Sequence, residues 1–427
     1  MEKITFDQLQ EELYYEKLKN GLDVYILPKQ GFNKTYATFT TKYGSIDNHF
    51  LPPGKENDVK VPDGIAHFLE HKLFEKEDGD VFQQFSKQGA SANAFTSFTR
   101  TAYLFSSTSN VEKNLETLID FVQAPYFTEK TVEKEKGIIG QEITMYDDNP
   151  DWRLYFGLIQ NMYKNHPVKI DIAGTIESIS HITKDMLYEC YETFYHPSNM
   201  LLFIVGPVDQ EQMMKMVRDN QDRKDYKELP EIKRKFEEEP VAVAEKKQVL
   251  EMNVQTSKCL VGIKAPHANQ TGKEMLKKEL SLNVMLDILF GKSSDHYSSL
   301  YNEGLIDETF SFDYTEENGF GFAMVGGDTS DPDRLADTIK RILMEAKGTI
   351  TEESLERTKK KKIGAFLRAV NSPEYIANQF TRYAFNDMDL FDVVPTLEGI
   401  TLADIDKNAS ELISEDQFTV CQVVPKK

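Results

Sequence analysis

The stretch Gly64-Ile65-Ala66-His67-Phe68-Leu69-Glu70-His71 sets two imidazoles one helical turn apart with a carboxylate between them. On a helix, side chains four residues apart project from the same face, so His67 and His71 can reach one ion. Neutral imidazole is a common zinc ligand, and a catalytic zinc takes three protein ligands and leaves a fourth position for water. Glu70 lies near enough to accept a proton from such a water. The order His-x-x-Glu-His inverts the commoner His-Glu-x-x-His and is a zinc hydrolase signature. Two histidines on an apolar helix can also be hydrogen-bonded core residues, so the metal reading demands a third ligand.

Glu142 is the candidate, in the segment from Thr131 to Tyr146. Val132, Ile138, Ile139, Ile143 and Met145 fit a helix with one buried side, and Glu135 and Glu142 fall on one face, two turns apart. A helix this charged commonly just solvates its acids. Taken together, however, His67-Phe68-Leu69-Glu70-His71 and Glu133-Lys134-Glu135-Lys136-Gly137-Ile138-Ile139-Gly140-Gln141-Glu142 resemble the pitrilysin, insulin-degrading and mitochondrial-processing peptidase family. The resemblance implies that His67, His71 and Glu142 bind one Zn2+ per chain, that Glu70 is the catalytic base, and that Glu135 is an auxiliary acid.

Further stretches look like family landmarks. Lys42-Tyr43-Gly44-Ser45-Ile46-Asp47 resembles the strand end ahead of the active-site helix. Ala173-Gly174-Thr175-Ile176-Glu177-Ser178-Ile179 and Tyr195-His196-Pro197-Ser198-Asn199-Met200 resemble two more near the end of the first half. Gly89-Ala90-Ser91-Ala92-Asn93-Ala94-Phe95-Thr96 resembles the substrate-binding edge strand. If Ser91, Ala92, Asn93, Ala94 and Phe95 form an exposed sheet edge, their free N–H and C=O groups can pair with an extended peptide. The residues alone fit a plain edge strand as well; the resemblance implies substrate binding.

The elements that must position these groups are legible in outline. Residues 15–28 read as a β-hairpin turning at Asn20-Gly21, and residues 36–43 as a strand ended by Gly44. Residues 95–105, rich in β-branched and aromatic side chains, read as one or two strands. Residues 112–122 and 186–195 have helical spacing, and residues 200–205 form a buried strand stopped by Gly206-Pro207. From 210 onward a final helix gives way to dense charge with prolines at 230 and 240, which suggests a solvated linker.

Strands at 248–254 and 259–263 and a helix at 276–290 then open a second half in similar order, as an internal duplication would. The expected organisation is residues 1–225 as the zinc-binding domain, 226–247 as a charged linker, and 248–427 as a homologous domain without a metal motif. The resemblance implies an α+β fold in each, helices packed against one mostly antiparallel sheet.

At 427 residues the chain exceeds the size at which one core stops growing, and 40% hydrophobic and 11% aromatic residues suffice for packed cores. A net charge of −20 argues against a nucleic-acid partner. No apolar run reaches the ~18 residues of a membrane span. The N-terminal residues lack the features of a secretory or transit peptide, and three scattered cysteines suit a reducing compartment, so a cytoplasmic location is expected.

One departure from the family pattern stands out. Self-sufficient relatives carry, in the second domain, an Arg and a Tyr seven residues apart that contact the substrate carbonyl; in register with Gly304-Leu305, those positions hold Leu300 and Asp307. Peptide hydrolysis needs a donor aimed at the developing oxyanion. The expectation is therefore an endopeptidase completed by a homologous, inactive subunit that supplies Arg and Tyr, as in the family's paired bacterial enzymes. A homodimer in which Tyr301, Tyr297 or His296 substitutes is the alternative. A non-catalytic subunit kept for assembly is a third reading, although such relatives typically lose the ligand set that persists here.

Overall fold

The computed structural model describes residues 1–427 apart from Asp78, His267 and Lys427. The hairpin forms as expected, β2 (Glu11–Lys17) returning as β3 (Asp23–Pro28), with Gly21 at φ +89° and the Asn20 side chain accepting from Leu22 N. Together with β1 (Glu2–Phe6), β4 (Thr35–Thr41), β5 (Ala90–Thr96), β6 (Thr101–Ser107) and β7 (Met200–Gly206) it builds a seven-stranded sheet in the order β1-β2-β3-β7-β4-β6-β5. Only β3 and β7 run parallel. All residues of β4 and β7 are buried, which requires cover on both faces and explains why the two read as unbroken runs rather than alternations.

A second sheet repeats the plan with β8 (Lys247–Met252), β9 (Ser257–Lys264), β10 (Ser311–Glu317), β11 (Phe320–Thr329) and β12 (Phe418–Pro425), in the order β8-β12-β9-β11-β10. Again the first pair, β8 with β12, is parallel and the rest antiparallel. Strand for strand this matches β3-β7-β4-β6-β5, so the duplication is one of topology. The fold is α+β.

The helices that bear on the argument are α1 (Ile65–Leu73), α2 (Val111–Val122), α3 (Glu129–Asp147), α4 (Pro150–Met162), α5 (Gly272–Phe290), α6 (Glu352–Ala369) and α7 (Pro373–Ala384). They do not all stay with the nearer sheet. One compact unit comprises residues 1–143, 171–236 and 369–385; the other comprises 144–170, 237–368 and 386–427. Thus the units differ from the contiguous stretches 1–225 and 248–427, because two helices are exchanged between the halves of the sequence.

In the first unit, α7 lies on β4 and β7, its Phe380 ring 4.8 Å from Tyr25 and 4.6 Å from Phe203. In the second, α4 lies on β9 and β12, where Asn161 donates to Val420 O and Tyr163 to Gly321 O.

The charged segment 226–247 is held rather than loose. Lys233 and Arg234 pair with Leu51 and Phe50, and Arg234 Nε donates to the buried Asp47 at 2.7 Å. Beyond them, in the second unit, Glu239 accepts from the backbone N–H groups of Lys164, Asn165 and His166 and pairs with Lys264 Nζ at 2.6 Å. Among the described residues no helix is long and apolar enough to cross a membrane.

Candidate metal centre

Every residue of α1 except His71 is buried, so this short helix is enclosed nearly all round and its apolar residues need not keep to one stripe. Its start is fixed by backbone contact instead of a side-chain cap. Gly64, the N-cap, has φ +86°, and a Cβ there would lie 2.3 Å from Ala173 O. Reciprocally, a Cβ on Gly174 (φ +72°) would lie 2.5 Å from Asp63 O, which also accepts from Ser178 Oγ. Two glycines thus let two loops touch main chain to main chain.

From α1 project His67 and His71; from α3 projects Glu142. One ligand atom from each lies within 4.8 Å of the other two. His67 Nε2 is 3.7 Å from Glu142 Oε1, and His71 Nε2 is 3.6 Å from Glu142 Oε2. Both exceed a good hydrogen bond. Ligands about 2.1 Å from a tetrahedral zinc would stand about 3.4 Å apart, so the spacing fits that ion. His71 Nδ1 meets Glu135 Oε1 at 3.1 Å, a contact that places the ring proton on Nδ1 and leaves Nε2 free to coordinate. The two rings pack edge to face, centroids 4.6 Å apart. His67 Nδ1 is buried with no hydrogen-bond partner among the described residues.

The electrostatics suit ligation. Burial, reinforced by the charge of His71, holds His67 well below the ordinary histidine range and keeps it neutral. Burial would lower the pKa of His71 too, but the hydrogen bond its ring donates to Glu135 and the charges of Glu70 and Glu142 outweigh it and raise the pKa above the ordinary histidine value. Glu135 is pulled the opposite way: burial raises it, and the bond to His71 brings it below the usual carboxylate range. Glu70 is raised by burial, opposed by a hydrogen bond from Thr96 Oγ1 at 2.6 Å.

Strand β5 ends the sheet order and pairs on one side with β6. Its alternation divides the residues expected to bind substrate. Ser91 and Asn93 are exposed, Ala92 and Ala94 are half-buried on the opposite face, and the Asn93 side chain accepts from Ala94 N. Phe95 is half-buried with the Arg100 guanidinium 5.7 Å from its ring centroid.

Sequence reasoning passed over three features near the centre: Thr96, the hydroxyl pair Tyr103–Tyr195 at 2.9 Å, and the fully buried Lys72, which pairs with Glu75. The parity of β5 was the available signal for Thr96, since it shares the inward face with Ala92 and Ala94.

A duplicated α+β scaffold, an inverted His-x-x-Glu-His helix and a remote glutamate closing on it are the fold and donor set of the inverted-motif zinc protease class. The chain belongs to peptidase family M16: residues 52–176 match Insulinase (Peptidase family M16), and residues 181–362 match the Peptidase M16 inactive domain. It is 71% identical over 423 residues to the uncharacterized zinc protease YmfH of Bacillus subtilis (strain 168), covering 99% of each chain. It is 25% identical over 385 residues to the uncharacterized zinc protease YmxG of the same organism, covering 86% of this chain and 90% of the other. Among solved structures, a putative M16-like peptidase from Alicyclobacillus acidocaldarius superposes with TM-score 0.94 at 41% identity, covering 97% of this chain and 99% of that one.

Proposed function

We propose that this chain is a zinc-dependent endopeptidase for extended peptides, with His67, His71 and Glu142 holding one zinc ion. The observation that carries the reading is the convergence of these three donors at zinc-like spacing from two helices remote in sequence. When bound, zinc would polarise the scissile carbonyl and lower the pKa of water from about 15.7 toward about 7. Glu70 takes the proton of the attacking water and returns it to the leaving amine. Glu135 keeps the His71 ring in its ligating tautomer. The outer edge of β5, residues 91–95, receives the peptide as an added strand.

The oxyanion partner comes from elsewhere. Leu300 is buried in the core of its own unit, and Asp307 is an acceptor to Thr309 N and Oγ1, so neither supplies a donor. One missing oxyanion donor typically costs about 2.7–4 kcal/mol in the transition state. A homologous subunit bearing the Arg and Tyr fills this need; Tyr301, 47% exposed and stacked on Tyr297, and the exposed His296 are the groups a homodimer would use. A purely structural subunit would have no use for an intact ligand set.

The test is Glu70→Gln, which removes the base and no ligand. One equivalent of zinc should remain while cleavage of a quenched peptide falls below detection; turnover in that variant would remove Glu70 from the mechanism.

A further inference from the structure

Glu70 is buried, and among the described residues Thr96 is the one side chain that hydrogen-bonds it. The direction of that bond is settled by its neighbour. Thr101 faces Thr96 across the β5–β6 ladder, and its hydroxyl reaches Tyr43 O at 2.9 Å and Thr96 Oγ1 at only 3.4 Å. A hydroxyl carries one proton. Thr101 gives its proton to the carbonyl of Tyr43, and Thr96 gives its own to Glu70 Oε2. The Thr96 side chain is β-branched and stiff about χ1, so the bond is made from a fixed point on the strand.

We propose that Thr96 is a positioning residue for the reaction assigned above, an inference that rests on Glu70 being the base. By occupying Oε2 it leaves Oε1 as the oxygen that receives the proton of water and later releases it to the amine. It also fixes the base to the strand whose outer edge takes the peptide. Registering a peptide along residues 91–95 therefore registers its scissile bond against Oε1, without relying on the rotamer freedom of a glutamate.

Thr96→Val keeps the shape of the side chain and deletes the donor, whereas Thr96→Ser keeps the donor. Both are measured as full-length, zinc-loaded protein, in the assembly in which the wild type turns over. For Thr96→Val, kcat should fall about 10- to 100-fold, the scale of an ångström-sized misplacement, with KM within about twofold and zinc still at one equivalent. Thr96→Ser should recover kcat to within about threefold.

Crystal structures give a readout independent of turnover. The Glu70 carboxylate should take more than one orientation in Thr96→Val and a single one in Thr96→Ser. The proposal is overturned by an unchanged carboxylate in Thr96→Val, by unchanged kcat, by a serine variant as impaired as the valine, or by a rise in KM alone, which would make Thr96 a substrate contact. A wild type that cleaves no better than Glu70→Gln would instead sink the peptidase reading, and the crystal orientations would still decide the role of Thr96.

Discussion

Replacing Gly64 by alanine tests whether the metal helix is anchored by main-chain contact. An L residue in the left-handed region costs about 1–2 kcal/mol, of which the stiffer unfolded chain returns about 0.4–1. Gly64 carries a further demand, because the added Cβ would sit 2.3 Å from Ala173 O and 2.8 Å from Ala173 C. Neither atom belongs to a side chain that could swing away, so a loop must move, at about 1–3 kcal/mol. The net cost is about 1–4.6 kcal/mol.

Gly54 is the natural control, with φ +77° and nothing within 4 Å of its would-be Cβ. Gly54→Ala should cost about 0–1.6 kcal/mol. At about 2–4 °C per kcal/mol for a domain of this size, the contact term of about 1–3 kcal/mol should make Gly64→Ala melt about 2–12 °C below Gly54→Ala. Calorimetry measures the difference, and a zinc competition titration should show weaker binding in Gly64→Ala alone, since His67 follows one turn later. Equal melting of the two variants would refute the idea that the contact at Ala173 holds the helix start.

Other perturbations address the ligands and the sheet. Glu142→Gln should lower zinc affinity at least about 100-fold, read by competition with a chelating dye, since a carboxylate ligand becomes a neutral amide. Glu135→Ala removes the acceptor that orients His71 and should cost about 10- to 100-fold in zinc affinity with the ligand set intact. At the far end of the sheet, the Arg218 guanidinium on Glu16 pulls its carboxyl down to about 2 from an ordinary 4.5. A depressed folded pKa means that the contribution to stability is whole above about pH 4.5 and is lost as pH falls toward 2. Glu16→Gln should therefore flatten the acid limb of the stability curve in that window, as urea titrations across pH would register.

The helix carrying His67, Glu70 and His71 was legible because helical periodicity is local and their spacing falls along one turn, whereas Glu142 was reached through the family resemblance, since its own helix reads as solvated acids. The repeated strand order was visible only as similar element succession, since the two halves share topology without a sharp residue repeat. Thr96 stayed hidden because its bond to Glu70 joins a strand to a helix, a relation that no window of sequence contains. Glu239 reads as one more acid in a charged run, yet three backbone amides and Lys264 hold it. Composition speaks of solvation, whereas the fold provides specific partners. The exchange of α4 and α7 was equally invisible, because an amphipathic helix announces an apolar face and says nothing about which sheet will cover it.

That exchange imposes an order on biosynthesis. A ribosome that has just released β7 has delivered all seven strands of the first sheet, but Tyr25 and Phe203 still wait for the ring of Phe380. At ordinary translation speeds the wait is on the order of ten seconds or more. During it, α4 has emerged ahead of every strand it is meant to cover. The nascent chain must carry two unfinished apolar surfaces at once, and they are completed in reverse sequence: the first sheet by a helix made late, the last sheet by a helix made early.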